Sequence, residues 1–412
     1  MPLYNGNIVA SMISQNTLTP LLRTYRYDGL NRLREQNVLL WQNNVLNATT
    51  SWNTAYTYDR MGNLFSLKRN AQAQQTMDML QYHYYPNTNK LAYVTDTVPA
   101  GIFTKDIDNQ YTNSYKYDRV GNLIIDNSEL LSMQWTDYGK LKRVNYPFIY
   151  DVIQPTPAKL TFTYDAMANR LTKTCWRNLG NISEVVYTQV YVRDVQGNPI
   201  ATYKISKDSL CLDELYIYGS QRIGVLKAEK FLAIQPTVPP YYDQFDIKSL
   251  STDIIIQPLP IHRKRYELSD WLGNVRVVIT DRKLHEGTHY KPDVVSVSDY
   301  YPFGSAIAER SYEVKKYNFG FNGQEKVDEV KGVNGSHYTA MFWEYDSRVG
   351  RRWNVDPLAS KMPGWSLYAA MADNPIMMID LDGQIPWPVN TKYKKESFRV
   401  NSWFGARNTG LS

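Results

Sequence analysis

The stretch Tyr56-Thr57-Tyr58-Asp59-Arg60-Met61-Gly62-Asn63-Leu64 decides the fold. Tyrosines at alternate positions place both rings on one face of a strand. Asp59 can hydrogen-bond nearby backbone, and Gly62 and Asn63 tolerate positive φ, so the middle of the stretch is turn chemistry. Leu64 then starts a second strand. The phrase predicts a β-hairpin, and a lone hairpin cannot bury its apolar face.

The same phrase recurs along the chain. It stands as Tyr25-Arg26-Tyr27-Asp28 with Asn31-Arg32-Leu33, and as Tyr115-Lys116-Tyr117-Asp118 with Gly121-Asn122-Leu123. It returns as Phe162-Thr163-Tyr164-Asp165 with Asn169-Arg170-Leu171. Weaker copies are Tyr191-Val192-Arg193-Asp194 with Gly197-Asn198, Leu268-Ser269-Asp270 with Gly273-Asn274-Val275, and Trp135-Thr136-Asp137-Tyr138-Gly139. Repeated hairpins stack so that neighbours bury one continuous face. The irregular spacing excludes a strict solenoid and predicts an all-β strip of hairpins that curls into a spiral. Pro-rich stretches at 235–241 and 254–263 read as surface loops, and strand patterns resume on each side of them.

Composition agrees. The 412 residues are 43% hydrophobic, with 33 Tyr against 12 Phe, a bias toward half-buried strands. The net charge of +6 is a mild surplus without a block of like charges, which reads as a solvated mixed surface and not as a nucleic-acid groove. Cys175 and Cys211 are too few for a disulfide framework or a zinc site of their own. The start, Met-Pro-Leu-Tyr-Asn-Gly-Asn, has no secretory pattern, and no stretch approaches the about 20 apolar residues of a membrane span.

At the Tyr-Asp phrases the chain resembles the YD repeats of RHS proteins. A second block extends the resemblance: Asp299-Tyr300-Tyr301-Pro302-Phe303-Gly304, then Tyr317 to Glu325, then Phe342-Trp343-Glu344-Tyr345-Asp346-Ser347-Arg348-Val349-Gly350-Arg351-Arg352-Trp353-Asn354-Val355-Asp356-Pro357. Tyr368, Asn374-Pro375-Ile376 and Asp380-Leu381-Asp382-Gly383 close it. This block looks like an RHS repeat-associated core domain of the Bacteroidetes type. The expected organisation is a YD-repeat hairpin region over 1–298, the core over 299–384, and a truncated effector stub or tail over 385–412.

The resemblance implies a partial cocoon. In the family, YD hairpins form a hollow shell and the core rolls in to plug one end, here with short helices over 357–372. A C-terminal effector in the same chain follows the core. The implied partners are that effector, an immunity protein and secretion machinery, with a secreted or cell-surface location reached by a dedicated export system. No cofactor and no metal are implied.

In several members the core is an aspartyl-type autoprotease that cuts after a final Asp-Pro-Asp-Gly. Such chemistry needs two carboxyls whose pKa values are pushed apart, one to activate water and one to protonate the leaving group. Asp356 matches one catalytic position and Glu344 stands at the other. Trp343 replaces the Arg of autoproteolytic members, Asp346 reads as a turn residue, and the closing motif is Asp-Leu-Asp-Gly. The cleavage site falls at Gly383, Gln384 and Ile385, with the cut expected at Gln384–Ile385 or a bond either side. At most the chain is such an autoprotease, and no activity on an external substrate is expected.

Two other patterns carry less. His285-Glu286-Gly287-Thr288-His289 matches His-Glu-x-x-His, which binds zinc only on a helix. It follows a β-branched strand and contains Gly287 and Thr288, poor helix formers, so a loop between strands is expected. His83, His262 and His337 form no pattern. Ser397 to Arg407 resembles the opening of lysostaphin-like zinc endopeptidases, with all the metal ligands absent. Two alternative functions fit the residues: a cell-surface adhesion or carbohydrate-binding module using exposed Tyr, and a truncated remnant of a larger RHS toxin.

Overall fold

Each Tyr-Asp phrase folds on its own aspartate. In the computed structural model, which describes residues 6–15, 18–103, 106–146, 158–179, 182–207, 209–233, 263–384 and 386–389, the turns at Asp28, Asp59, Asp118, Asp165, Asp194 and Asp270 share one geometry. Asp59 Oδ1 accepts the N–H groups of Met61 and Asn63 at 2.8 and 2.9 Å, and Oδ2 accepts the Asn63 side-chain amide at 2.8 Å. Asp165, Asp194 and Asp270 repeat all three bonds. The residue three after the aspartate takes a left-handed φ: 76° at Gly62, 102° at Gly121, 65° at Asn31. This is a turn followed by a bulge, and the strand register shifts beside it, for example between Arg26 and Tyr27. In the Asp165 copy the left-handed residue is Ala168, so Asn169 supplies the side-chain amide and aligns with Asn63, one place later in the turn than its sequence pairing with Asn31 suggests. At Trp135 the acceptor is Thr136 Oγ1, not Asp137.

The hairpins assemble into two antiparallel sheets in chain order. A seven-stranded sheet runs from Ala10–Gln15 to Leu91–Asp96, and a fourteen-stranded one runs from Tyr115–Tyr117 to Tyr312–Glu313. The strip expected from the sequence is therefore present, in an all-β chain. The short helices expected over 357–372 are single 3-10 turns, Ala359–Lys361 and Met371–Asp373. Pro357, Pro363 and Pro375, together with a left-handed Ala372, prevent longer ones.

The excess of Tyr over Phe has a structural cause. Tyr58 donates its hydroxyl to the Leu33 carbonyl at 2.7 Å, and Tyr164 donates to Leu141 at 2.8 Å. Tyr84 and Tyr218 do the same to Leu64 and Pro199, and Trp135 Nε1 does it to Leu123. Each ring before a turn thus tethers its hairpin to the strand that leaves an earlier turn. A Phe could pack there but could not make the tether.

The inner face is not hollow. Tyr25, Leu64, Tyr82, Tyr115, Leu141 and Phe162 form one buried cluster with Phe303, Phe321, Tyr338, Trp343, Tyr345 and Trp353. The strip clasps the chain's own core. It also meets itself: the Gln15 side chain donates to the Arg276 and Ser298 carbonyls, and Asp299 binds Arg23, Arg276 and Arg310, each at 2.7 Å. Arg23 lies in the first sheet and Arg276 in the second, so this hub joins the start of the strip to its end.

Candidate functional site

The core presents Glu344 and Asp356 through a small meander. Strand Glu344–Asp346 pairs with His337–Thr339 on one side and Arg351–Arg352 on the other. Gly350, at φ 66°, makes the tight turn between the last two. Asp346 Oδ1 accepts the Arg348 N–H at 3.0 Å, as expected of a turn residue, and its carboxylate also meets Lys331 at 2.6 Å.

Glu344 and Asp356 belong to different networks. Glu344 Oε1 accepts from Arg170 at 3.2 Å and Thr339 at 3.0 Å, and Oε2 lies 2.8 Å from His337 Nε2. The sequence showed no pattern around His337, because its partner comes from the facing strand. Asp356 Oδ1 accepts the Leu358 N–H at 2.8 Å, and Oδ2 accepts Arg352 Nη1 at 2.5 Å. Arg352 is the residue that sequence reasoning missed. Its Nη2 donates to the Gly383 carbonyl at 2.6 Å and to the Phe342 carbonyl at 3.1 Å. A guanidinium therefore reaches the junction from Arg352, although position 343 is Trp.

The other end of the same peptide group is held too. The Gln384 N–H donates to Asp380 Oδ1 and to Asp382 Oδ1, both at 3.1 Å, and the Gly383 N–H donates to Asp380 Oδ1 at 2.7 Å. Gly383 has no substitute: at φ 87° a Cβ would come within 2.8 Å of both Trp343 N and Cγ. Burial, with Asp382 and Asp356 nearby, pushes the Asp380 carboxyl up to about 7 against the pull of Arg352. Burial also raises Asp382, against the Gln384 N–H that it accepts. Asp356 is raised by burial despite Arg352. Three carboxyls and one guanidinium thus surround the Gly383–Gln384 bond.

Beside the junction lies a cavity of about 340 Å³ lined by Lys140, Arg170, Phe342, Trp343, Glu344 and Asp382 among others. Burial pushes the Lys140 amine down to about 8, and it sits 4.6 Å over the Phe342 ring. The remaining sequence candidates lie elsewhere. His285 and His289 stand on opposite strands of an exposed hairpin joined at Gly287, where no helical ligand face exists. Among the described residues no cluster of three His, Cys, Asp or Glu could hold a metal. His262, Ile385 and the stretch 397–407 lie outside the described residues. No helix in the described residues is long and apolar enough to cross a membrane.

In sequence the chain is 23% identical over 396 residues to the toxin subunit YenC1 of Yersinia entomophaga, covering 85% of this chain and 39% of that protein. The chain is homologous to a toxin subunit. It spans about two-fifths of that relative's length. It is also 26% identical over 235 residues to salivary gland surface protein 1 of Aedes aegypti, covering 55% of this chain and 5% of that protein. Among solved structures, TcdB2-TccC3-Cdc42 gives a TM-score of 0.49 with 14% identity over 88% of this chain and 17% of that one. The Photorhabdus luminescens Tc holotoxin pore gives 0.47 with 14% identity over 93% and 18%. No family model matches. The kinship with a toxin subunit, together with the strip of Tyr-Asp hairpins, supports an RHS-type repeat scaffold.

Proposed function

We propose that this chain is the plugged end of a secreted RHS shell, of the Bacteroidetes form, that presents an effector following its core and cuts its own chain at Gly383–Gln384. The supporting observation is Arg352, which bridges the Asp356 carboxylate and the Gly383 carbonyl. The guanidinium polarises the carbonyl and keeps a carboxylate beside it, as an electrostatic clamp for the charge that develops on attack. The segment that fills the strip is the chain's own core, so an effector would lie beyond it, toward the open side of a longer shell.

The chemistry uses residues already in place. Asp356 takes a proton from water as its oxygen attacks the Gly383 carbonyl carbon, and Arg352 holds the resulting oxyanion. The C–N bond then breaks while Asp380 gives its proton to the Gln384 nitrogen. Solvent removes the proton from Asp356 and restores the one on Asp380. In this scheme Asp380 takes the place of Glu344 as the second carboxyl, since Glu344 is engaged by Arg170, Thr339 and His337.

Purified protein, incubated and weighed by mass spectrometry, should yield fragments meeting at Gly383–Gln384. Asp356→Asn and Arg352→Gln should each abolish the cut, and Glu344→Gln should not. Cutting should slow as the pH rises through about 7, where Asp380 loses its proton. A chain that stays whole after prolonged incubation sinks the reading.

A further inference from the structure

We infer that the cavity beside Lys140 is a binding site for a small aryl carboxylate, with the acid on the Lys140 amine and the ring among Trp135, Phe342 and Trp343. The inference stands whether or not the chain cuts itself. The cavity, about 340 Å³, lies where the turns at Thr136, Asp165 and Asp194 meet the core segment 339–344. Exposed Gln196, Met341 and Leu381 mark its mouth. That volume falls at the lower end of small-molecule sites and takes one aromatic ring with a short acid arm. Aromatic walls with a few convergent polar groups are the usual makeup of such a site.

The charges of the lining call for an anion. Its acids are already engaged: Glu344 by Arg170, Thr339 and His337, Glu325 by the Tyr191 hydroxyl at 2.7 Å, and Asp382 by the Gln384 N–H. Among its cations, Arg170 answers Glu344, and Arg193 donates to the carbonyls of Arg170 and Gly197. Lys140 is the one left over. It is 7% exposed, and its own N–H closes the turn on Thr136 Oγ1 at 3.0 Å, which fixes where the side chain enters the cavity. Among the described residues its amine makes no ion pair and no hydrogen bond, and its one partner is the Phe342 ring, 4.6 Å away. A buried cation without a counter-charge is costly. Burial, joined by Arg170, pushes the amine down to about 8 against Glu344 and Asp382. Burial pushes Tyr164, on the same wall, up to about 12, so it stays neutral. A bound carboxylate supplies the missing charge and holds the proton on Lys140.

The test is calorimetric titration of the full chain with benzoate, beside acetate, which has the charge without the ring, and benzamide, which has the ring without the charge. Benzoate should saturate a single site and bind at least about ten-fold tighter than either control. Because it binds the ammonium, its affinity should fall about ten-fold from about pH 7 to about pH 9, with proton uptake at the upper end. Lys140→Met keeps the length and the apolar contact with Phe342 but not the charge. It should weaken benzoate at least about ten-fold and remove the pH dependence, and thermal melting checks that it is folded. Where that variant does not fold, the parent decides: the Lys140 amine, followed by nuclear magnetic resonance at its ε carbon, should titrate near 8 alone and higher with benzoate. No saturable binding of benzoate up to about 10 mM, acetate or benzamide binding as tightly, or affinity indifferent to pH and to Lys140→Met overturns the inference. So does a Lys140 titration that benzoate leaves unmoved.

Discussion

Asp373 is the residue whose titration is most exposed to test. It is fully enclosed, and burial, with Asp28 and Asp59 nearby, pushes its carboxyl up to about 8 against Arg32 and Arg351. An acid whose folded pKa lies above its unfolded value of about 4 binds more protons in the fold, so stability falls as the pH rises from about 4 to about 8. Asp373→Asn should therefore raise the melting temperature at pH 8 relative to the parent and give no gain near pH 4. Asn also suits the backbone there, at φ 56°. A parent-like pH dependence in the variant would refute this. At the same scale, Asp356 and residues 383–385 could be named from linear motifs, and their part in a cut stands as the proposal above. Arg352 was not, since its contact is to a peptide group 31 residues away, and Asp380, although it stands in the closing motif, was not read as a partner of the bond four residues on. The pairing of Glu344 with His337 and Arg170 was hidden for the same reason: Arg170 arrives from a hairpin 174 residues away.

Hairpins were the most legible elements, because a turn that closes on its own Asp is a local event. The Asp-to-Asn contact spans four residues, and alternating Tyr marks the strand beside it. What the hairpins grip was not legible. Gly121 shows why: at φ 102°, a Cβ there would stand 2.7 Å from Val355 and 2.8 Å from the Tyr368 hydroxyl, which donates to the Gly121 carbonyl. The turn glycine serves its own bulge and a close approach by the core at once. Gly121→Ala should cost about 2–3 kcal/mol in denaturant unfolding, from strain and overpacking together. Gly139→Ala, with the same sign of φ and open space around it, should cost less. Equal costs would mean that the core does not press on this turn. The Tyr tethers were likewise invisible, since a hydroxyl aimed at an earlier hairpin has no signature in its own phrase.

At the scale of the molecule the deciding feature is closure through Asp299. Burial alone would raise this carboxyl, but Arg23, Arg276 and Arg310 hold it well below the usual carboxylate range. Its contribution to stability is thus present above about pH 4 and is lost as the pH falls toward its folded value. Asp299→Asn leaves the buried Arg23 and Arg310 guanidiniums without their counter-charge, while Arg276 keeps Asp270, and should cost about 3–5 kcal/mol. Hydrogen exchange should locate that loss first in Ala10–Gln15 and Leu18–Tyr27, the strands that the hub joins to the far end. Uniform loss across both sheets would show that closure is not a separate unit of stability. The curl was expected from irregular repeats, whereas its closure was not, because Arg23 and Asp299 carry no mutual signal in the sequence.

That separation has a temporal side. Arg23 and Asp299 lie 276 residues apart, so the first strands leave the ribosome long before their partner exists. At about 5–20 residues per second the wait is roughly 15–55 seconds. During it, the Ala10–Gln15 edge and the Tyr-lined face wait without the hub and without the core that will cover them. Synthesis of this chain is thus a race between closure and sticking to a neighbour, and cells that make it quickly should need a chaperone on the nascent strip.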